Sequence, residues 1–114
     1  MAIDEAKKKL FESRARIIKA LAHPSRLMMV DELSRGERCV CTLTDLVGAD
    51  ISTVSKHLSV LKEAGIVDCR KDGVQRFYRL KVPCVLNMFS CIEAVREEQE
   101  GCPAPASEAQ ARRT

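Results

Sequence analysis

The stretch from Ile51 to Leu80 constrains the fold of this chain more than any other. Residues Ile51 to Ala64 carry Val54, Leu58 and Leu61 at i, i+4 and i+7, which is one buried stripe of a helix. Asp50 or Ser52 supplies a cap at its start, and Gly65 a stop at its end. Two runs rich in β-branched and aromatic residues follow, Ile66–Cys69 and Phe77–Leu80. Between them, Arg70 to Arg76 contains Asp72-Gly73, a strong hairpin-turn step. The segment therefore reads as a helix that leads straight into a two-stranded hairpin with a basic tip.

The polar face of that helix shows Ser52, Thr53, Ser55, Lys56, Ser59 and Lys62, with no carboxylate before Glu63. A merely solvated face mixes charges of both signs. Short hydroxyls and lysines instead suit base edges and phosphates. The overall net charge of +3 decides little, but its distribution does more. From Ser52 to Lys81 there are seven basic residues against three acidic ones, while from Ile92 onward there are three against five. A local basic excess beside an acidic end is an electrostatic footprint for phosphate.

The rest of the chain frames this segment. Ile3 to Leu21 reads as a helix with Leu10, Ile17 and Leu21 apolar and Ile18 flanking. His23-Pro24 interrupts it and opens a second helix to Ser34, with Leu27, Val30 and Leu33 on one face and Gly36 after its end. A short apolar stretch, Arg38–Cys41, leads to a third helix over Thr42–Val47 and a turn at Gly48-Ala49-Asp50. A last helix runs from Pro83 to Gln99, and Gly101–Thr114 has the composition of a disordered tail. A chain of 114 residues has room for one domain, placed at residues 1–100. The expected fold is mainly α with a small β-hairpin: a winged helix-turn-helix, α-α-α-α-β-β-α, that pairs as a homodimer through its first and last helices.

No apolar run is long enough to span a bilayer, and the N-terminal residues mix charges without an apolar segment, so the expected location is cytoplasmic, with no membrane partner. In that reducing compartment, six cysteines point to metal or redox chemistry more than to a disulfide framework. Two histidines, no glycine-rich phosphate loop and no CxxC leave no catalytic constellation, so an enzyme is not expected.

Between Ala20 and Leu80 the sequence resembles the ArsR/SmtB family of metal-sensing repressors. The resemblance rests on the segments Leu21–Leu27, Glu37–Leu43, Ser52–Leu58 and Leu61–Val67, and on the hairpin. Cys39-Val40-Cys41 is similar to the inducer site of the arsenic-responsive members. The resemblance implies a repressor that leaves its operator when As(III) or Sb(III) binds. Soft thiolates select such soft ions over hard ones. In an extended segment Cys39 and Cys41 point to one side, whereas in a helix they lie about 200° apart. One ion bridges them only where the backbone leaves helical geometry, which would distort the start of the third helix. The alternative is that both thiols pack in the core near Leu33 and Leu43.

The third ligand stays open. Where some relatives carry a third cysteine, this chain has Thr44, a poor arsenic ligand. A solvent-derived ligand, a small thiol or another cysteine remain. Cys84 and Cys91 share a face of the last helix and could instead form a second thiol site across the dimer, the alternative being small apolar residues at a dimer interface; Cys102, in the tail, is a further candidate. Cys69, in a hairpin strand, reads as structural. The family's zinc site on the last helix is not expected, because that helix has no histidine, and no cysteine precedes Cys39 as cadmium- or lead-sensing relatives usually have.

For DNA, the candidate contacts are Ser52, Thr53, Ser55, Lys56 and His57 on the helix. Ser25 and Arg26 on the second helix, with Arg70, Lys71, Gln75 and Arg76 on the hairpin, are expected to hold phosphates. His57 has the alternative of bonding within its own domain. A twofold dimer implies an inverted-repeat operator in double-stranded DNA. The rival readings are a thiol-redox or persulfide sensor on the same fold, using pairs such as Cys41 with Cys91, a cadmium or lead sensor, and a partner-binding module without DNA activity.

Overall fold

The structure, a computed structural model, describes residues 4–101. Five helices and three strands follow in the order α1 (Glu5–Leu21), α2 (Pro24–Leu33), β1 (Arg38–Cys39), α3 (Val40–Val47), α4 (Ile51–Glu63), β2 (Val67–Asp72), β3 (Gln75–Leu80) and α5 (Val85–Gly101). The chain divides into two compact units, one ending at Pro83 and one beginning at Cys84. The expected tail, with Cys102, lies outside the described residues.

Local chemistry sets the helix ends. Asp4 caps α1 by accepting the Lys7 N–H at 2.8 Å. Pro24 sits in the first turn of α2, where its missing N–H costs nothing, and His23 Nδ1 accepts the Ser25 N–H at 3.1 Å. α3 ends on Gly48 in the left-handed region at φ 76°, which lets its N–H reach the Thr44 carbonyl at 2.9 Å. Two residues later Asp50 caps α4, accepting the Thr53 N–H at 2.8 Å and the Ser52 hydroxyl at 3.0 Å. α3 and α4 are thus joined by a turn whose two ends are both hydrogen-bonded.

The core lies where α2, α3 and α4 meet the sheet. Met29, Val30, Leu33, Leu43, Val54, Leu58, Leu61, Ile66 and Val67 are buried there. The α4 stripe is the expected one. On α2 the expected face shifts: Met29 is fully buried with Val30 and Leu33, while Leu27 is exposed. On α1, Leu21 is buried but Leu10, Phe11, Ile17 and Ile18 lie open on the single chain.

The hairpin gains a third strand. The sheet order is β1-β3-β2, antiparallel, with Arg38 opposite Tyr78 and Cys39 opposite Phe77. The wing strands also run further than expected, to Asp72 opposite Gln75, leaving a two-residue turn. Gly73 occupies its first central position at φ 66° and Val74 has a negative φ, as a type II′ turn requires. Arg70, Lys71 and Arg76, expected in a loop, are therefore strand residues.

Candidate nucleic-acid interface and thiol pair

Ser52, Thr53, Ser55, Lys56, Ser59 and Lys62 are all exposed on α4, opposite its buried stripe. Their backbone is fixed by the Asp50 cap and by the packing of Val54, Leu58 and Leu61, so the polar face is presented by a rigid element. His57 stands apart from this row. It is half-buried, its ring 4.4 Å from that of His23, and burial, then the charges of His23 and Arg26, hold its imidazole below the ordinary range. Ser25 and Arg26 are half-buried at the start of α2. The Arg26 Nε is buried without a hydrogen-bond partner in the structure.

The wing places its cations unequally. Lys71 and Arg76 face each other across β2 and β3 and, with Lys62 and Cys69, line a cleft of about 400 Å³ between the end of α4 and the wing. Lys62 was not among the expected phosphate contacts. Its position late in the helix gave no sign that the wing folds back beside it. Gln75 is exposed next to the turn. Arg70 is committed elsewhere: its Nε and NH2 groups each donate to Glu37 at 2.8 Å, and its guanidinium lies 4.7 Å from the centre of the Phe77 ring. The partner is 33 residues away in sequence.

Cys39 and Cys41 straddle a junction. The third helix begins at Val40, two residues earlier than expected, so Cys41 lies inside it, and Cys39 is both the last residue of β1 and the residue preceding α3. Cys39 is extended at φ −82°, ψ 160°, outside helical geometry. That meets half of the requirement for bridging the pair. Cys41 is exposed and Cys39 half-buried, so neither thiol is packed away in the core. Cys39 Sγ lies 3.3 Å from Thr42 Oγ1. The Thr42 hydroxyl, then its backbone N–H, hold the Cys39 thiol below its usual range against the effect of burial, with further help from Cys41. Thr44 Oγ1 donates to the Val40 carbonyl at 2.8 Å and closes the first turn of α3.

Among the described residues no group of three or more His, Cys, Asp or Glu side chains gathers to hold a metal ion. One chain thus offers two thiols at this junction. The last helix begins at Val85, not Pro83, so Cys84 precedes it and does not share a helix face with Cys91 as expected; both are exposed free thiols of the second unit, and Cys69 is half-buried opposite Tyr78.

The helix pair, its capped turn and the adjoining wing have a counterpart in known sequences. Residues 23–68 match the arsR family of bacterial regulatory proteins. The biofilm growth-associated repressor of Xylella fastidiosa is 40% identical over 88 residues, covering 75% of this chain and 77% of that protein. The chain belongs to the arsR family. A second relative, the HTH-type transcriptional regulator Rv0324 of Mycobacterium tuberculosis, is 34% identical over 82% of this chain, which spans only 42% of that regulator. Among solved structures, the homodimeric winged helix-turn-helix DNA-binding domain Mb0332 of Mycobacterium bovis superposes with a TM-score of 0.72 at 34% identity, covering 86% of this chain and 92% of that one. The fold is thus a winged helix-turn-helix, and this arsR-family chain is a transcriptional regulator rather than an enzyme. Among the described residues no helix is long and apolar enough to cross a membrane.

Proposed function

We propose that this chain is a homodimeric repressor that grips operator DNA with α4 and the wing and lets go when As(III) or Sb(III) is captured by Cys39 and Cys41. The observation that carries the reading is the place of the thiol pair. It sits where β1, paired to the wing strand β3, passes into α3, the helix that supports α4. Cys39 already lies outside the helix, so a soft ion held by both thiols pulls on the first turn of α3 at Cys41, the turn that joins β1 to the helix supporting α4.

DNA is held in two ways. Ser52, Thr53, Ser55 and Lys56 face base edges and the nearest phosphates, and Lys62, Lys71, Gln75 and Arg76 hold the backbone beside the wing. Ser25 and Arg26 contribute at the start of α2. His57 serves mainly to seat α4 against His23. Leu10, Phe11, Ile17 and Ile18, left open on α1, are the apolar surface that a second copy covers, and a twofold dimer reads an inverted repeat. The third arsenic ligand comes from solvent, a small thiol, or Cys84, Cys91 or Cys102.

The experiment is binding to the chain's own promoter DNA, titrated with arsenite, antimonite, cadmium, zinc and a persulfide donor, for the wild type and for Cys39→Ser and Cys41→Ser. Either variant is expected to bind DNA and to ignore arsenite. If both release normally, the thiol pair is not the inducer site; if the wild type finds no specific duplex, the repressor reading fails. Release by the persulfide donor alone would favour the thiol-redox sensor, a reading supported by the exposure of Cys41, Cys84 and Cys91.

A further inference from the structure

Glu37 stands two residues before Cys39 and makes the longest-range ion pair described in the chain, a two-pronged bond to Arg70 with both N···O distances 2.8 Å. Arg70 lies on β2 over the ring of Phe77 on β3, and Phe77 is the residue opposite Cys39 in the β1·β3 pairing. The four positions close a ring: Cys39 to Phe77 through the sheet, Phe77 to Arg70 through the ring face, Arg70 to Glu37 through the fork, and Glu37 back to Cys39 along the chain. On the other side, Arg38 Nε donates to Glu32 of α2 at 2.8 Å, so the β1 segment is anchored to the helical body as well. β1 is only two residues long and has little pairing of its own with which to hold the wing.

We propose that Glu37 is a positioning residue for DNA binding, which locks the wing through Arg70 so that Arg70 holds the wing in place instead of a phosphate. The inference rests on the DNA-binding part of the proposed function. The carboxylate takes two of the five N–H donors of this guanidinium and the aromatic ring covers its face, so its orientation is fixed and its charge is partly offset. Its neighbours Lys71 and Arg76 have no such partner described and line the cleft beside Lys62. Glu37 thereby aims Lys71 and Arg76 at the DNA, and the ring passes any displacement of Cys39 directly to the wing.

Charge alone makes the opposite forecast. Removing a carboxylate from a DNA-facing surface lessens repulsion and strengthens binding. The test is fluorescence anisotropy of the full-length protein on its own promoter duplex over a salt series, for Glu37→Gln, Arg70→Gln, the double variant, and the swapped pair Glu37→Arg with Arg70→Glu. Circular dichroism checks that each remains folded, as the exposure of both side chains leads one to expect. Glu37→Gln is expected to weaken binding about threefold to tenfold, the range for loosening a coupling element. Arg70→Gln should do the same, the double variant no worse, the salt slope should stay unchanged, and the swapped pair should recover most of the loss. Tighter or unaltered binding by Glu37→Gln overturns the proposal. So does a salt slope reduced by Arg70→Gln alone, or a swapped pair as weak as Arg70→Gln. Arsenite is then added to the wild type and to Glu37→Gln. A smaller release factor in the variant supports transmission through the ring, and equal factors overturn it. A wild type indifferent to arsenite defeats the thiol reading and leaves the role of Glu37 to be decided by the first comparison.

Discussion

The ring of His57 on α4 rests 4.4 Å from that of His23, tilted by 46°, and His23 at the same time caps α2 through Nδ1. The contact joins the start of α2 to the middle of α4. Burial, then the charges of His23 and Arg26, depress the His57 imidazole below its ordinary value. The unfolded chain therefore takes up a proton, near pH 6.5 and below, that the folded chain refuses. Stability from this source is present above that pH and is lost as the pH falls through the window. The melting temperature should drop between pH 7.5 and 5.5, and His57→Gln should flatten that slope. Glu37 and Asp50, held below the ordinary carboxylate range chiefly by Arg70 and by the Thr53 N–H respectively, release their contributions only at more acid pH and do not confound the measurement. An equal slope in the variant would place the titrating group elsewhere.

Gly48 tests the turn between α3 and α4. Its φ of 76° lies in the left-handed region, and a Cβ built there meets nothing within 4 Å. Gly48→Ala thus adds backbone strain and no clash, costing about 1 kcal/mol. In a domain of this size that lowers the melting temperature by about 4–8 °C. Gly48→Asn should lose less, since asparagine tolerates this conformation better. Identical melting curves for glycine and alanine would mean that the turn relaxes.

The α2 face separates expectation from structure. Periodicity through Leu27, Val30 and Leu33 is a correct helical stripe, but the helix is rotated so that Met29 sits at the centre of the core. Met29→Ala should cost about 2–5 kcal/mol in urea unfolding, as buried truncations do. Leu27, 37% exposed, should lose about 0.5 kcal/mol on the same change. The reverse order would restore the face read from the sequence.

What was legible was what short-range chemistry encodes. The α4 stripe, the Asp50 cap and the stop at Gly65 each depend on neighbours within a few residues and fall where they were read, while the hairpin turn falls one residue on, at Gly73-Val74 instead of Asp72-Gly73. β1 escaped because two residues carry no alternation, and their pairing with Phe77 and Tyr78 is set by the tertiary fold. The same distance hid the partner of Arg70, which composition alone counts as a free cation. The spacing of Cys39 and Cys41 was legible, but their geometry was not. α3 starts at Val40 and Leu43 enters the core, and no residue near Cys41 announces that start.

The cleft between α4 and the wing gives the sharpest measure of the DNA interface. Lys62, Lys71 and Arg76 converge there from three elements, α4, β2 and β3, with Cys69 on its wall. A phosphate seated among them displaces counterions, so the logarithm of affinity falls with that of salt by about 0.9 per phosphate neutralised. Lys62→Gln and Arg76→Gln should each lower that slope by about one per protomer and weaken binding to all duplexes alike. Ser55→Ala should leave the slope intact and alter the preference among sequences, because a hydroxyl facing a base edge carries no counterion. The signature to look for is this division between helix and cleft: slope lost at the cations, preference lost at the hydroxyl. If Lys62→Gln leaves the slope untouched while Arg76→Gln lowers it, the phosphate sits on the wing away from α4 and the cleft is not its seat. If neither changes it, the wing does not reach the backbone at all, and α4 alone must carry the electrostatic part of binding through Lys56.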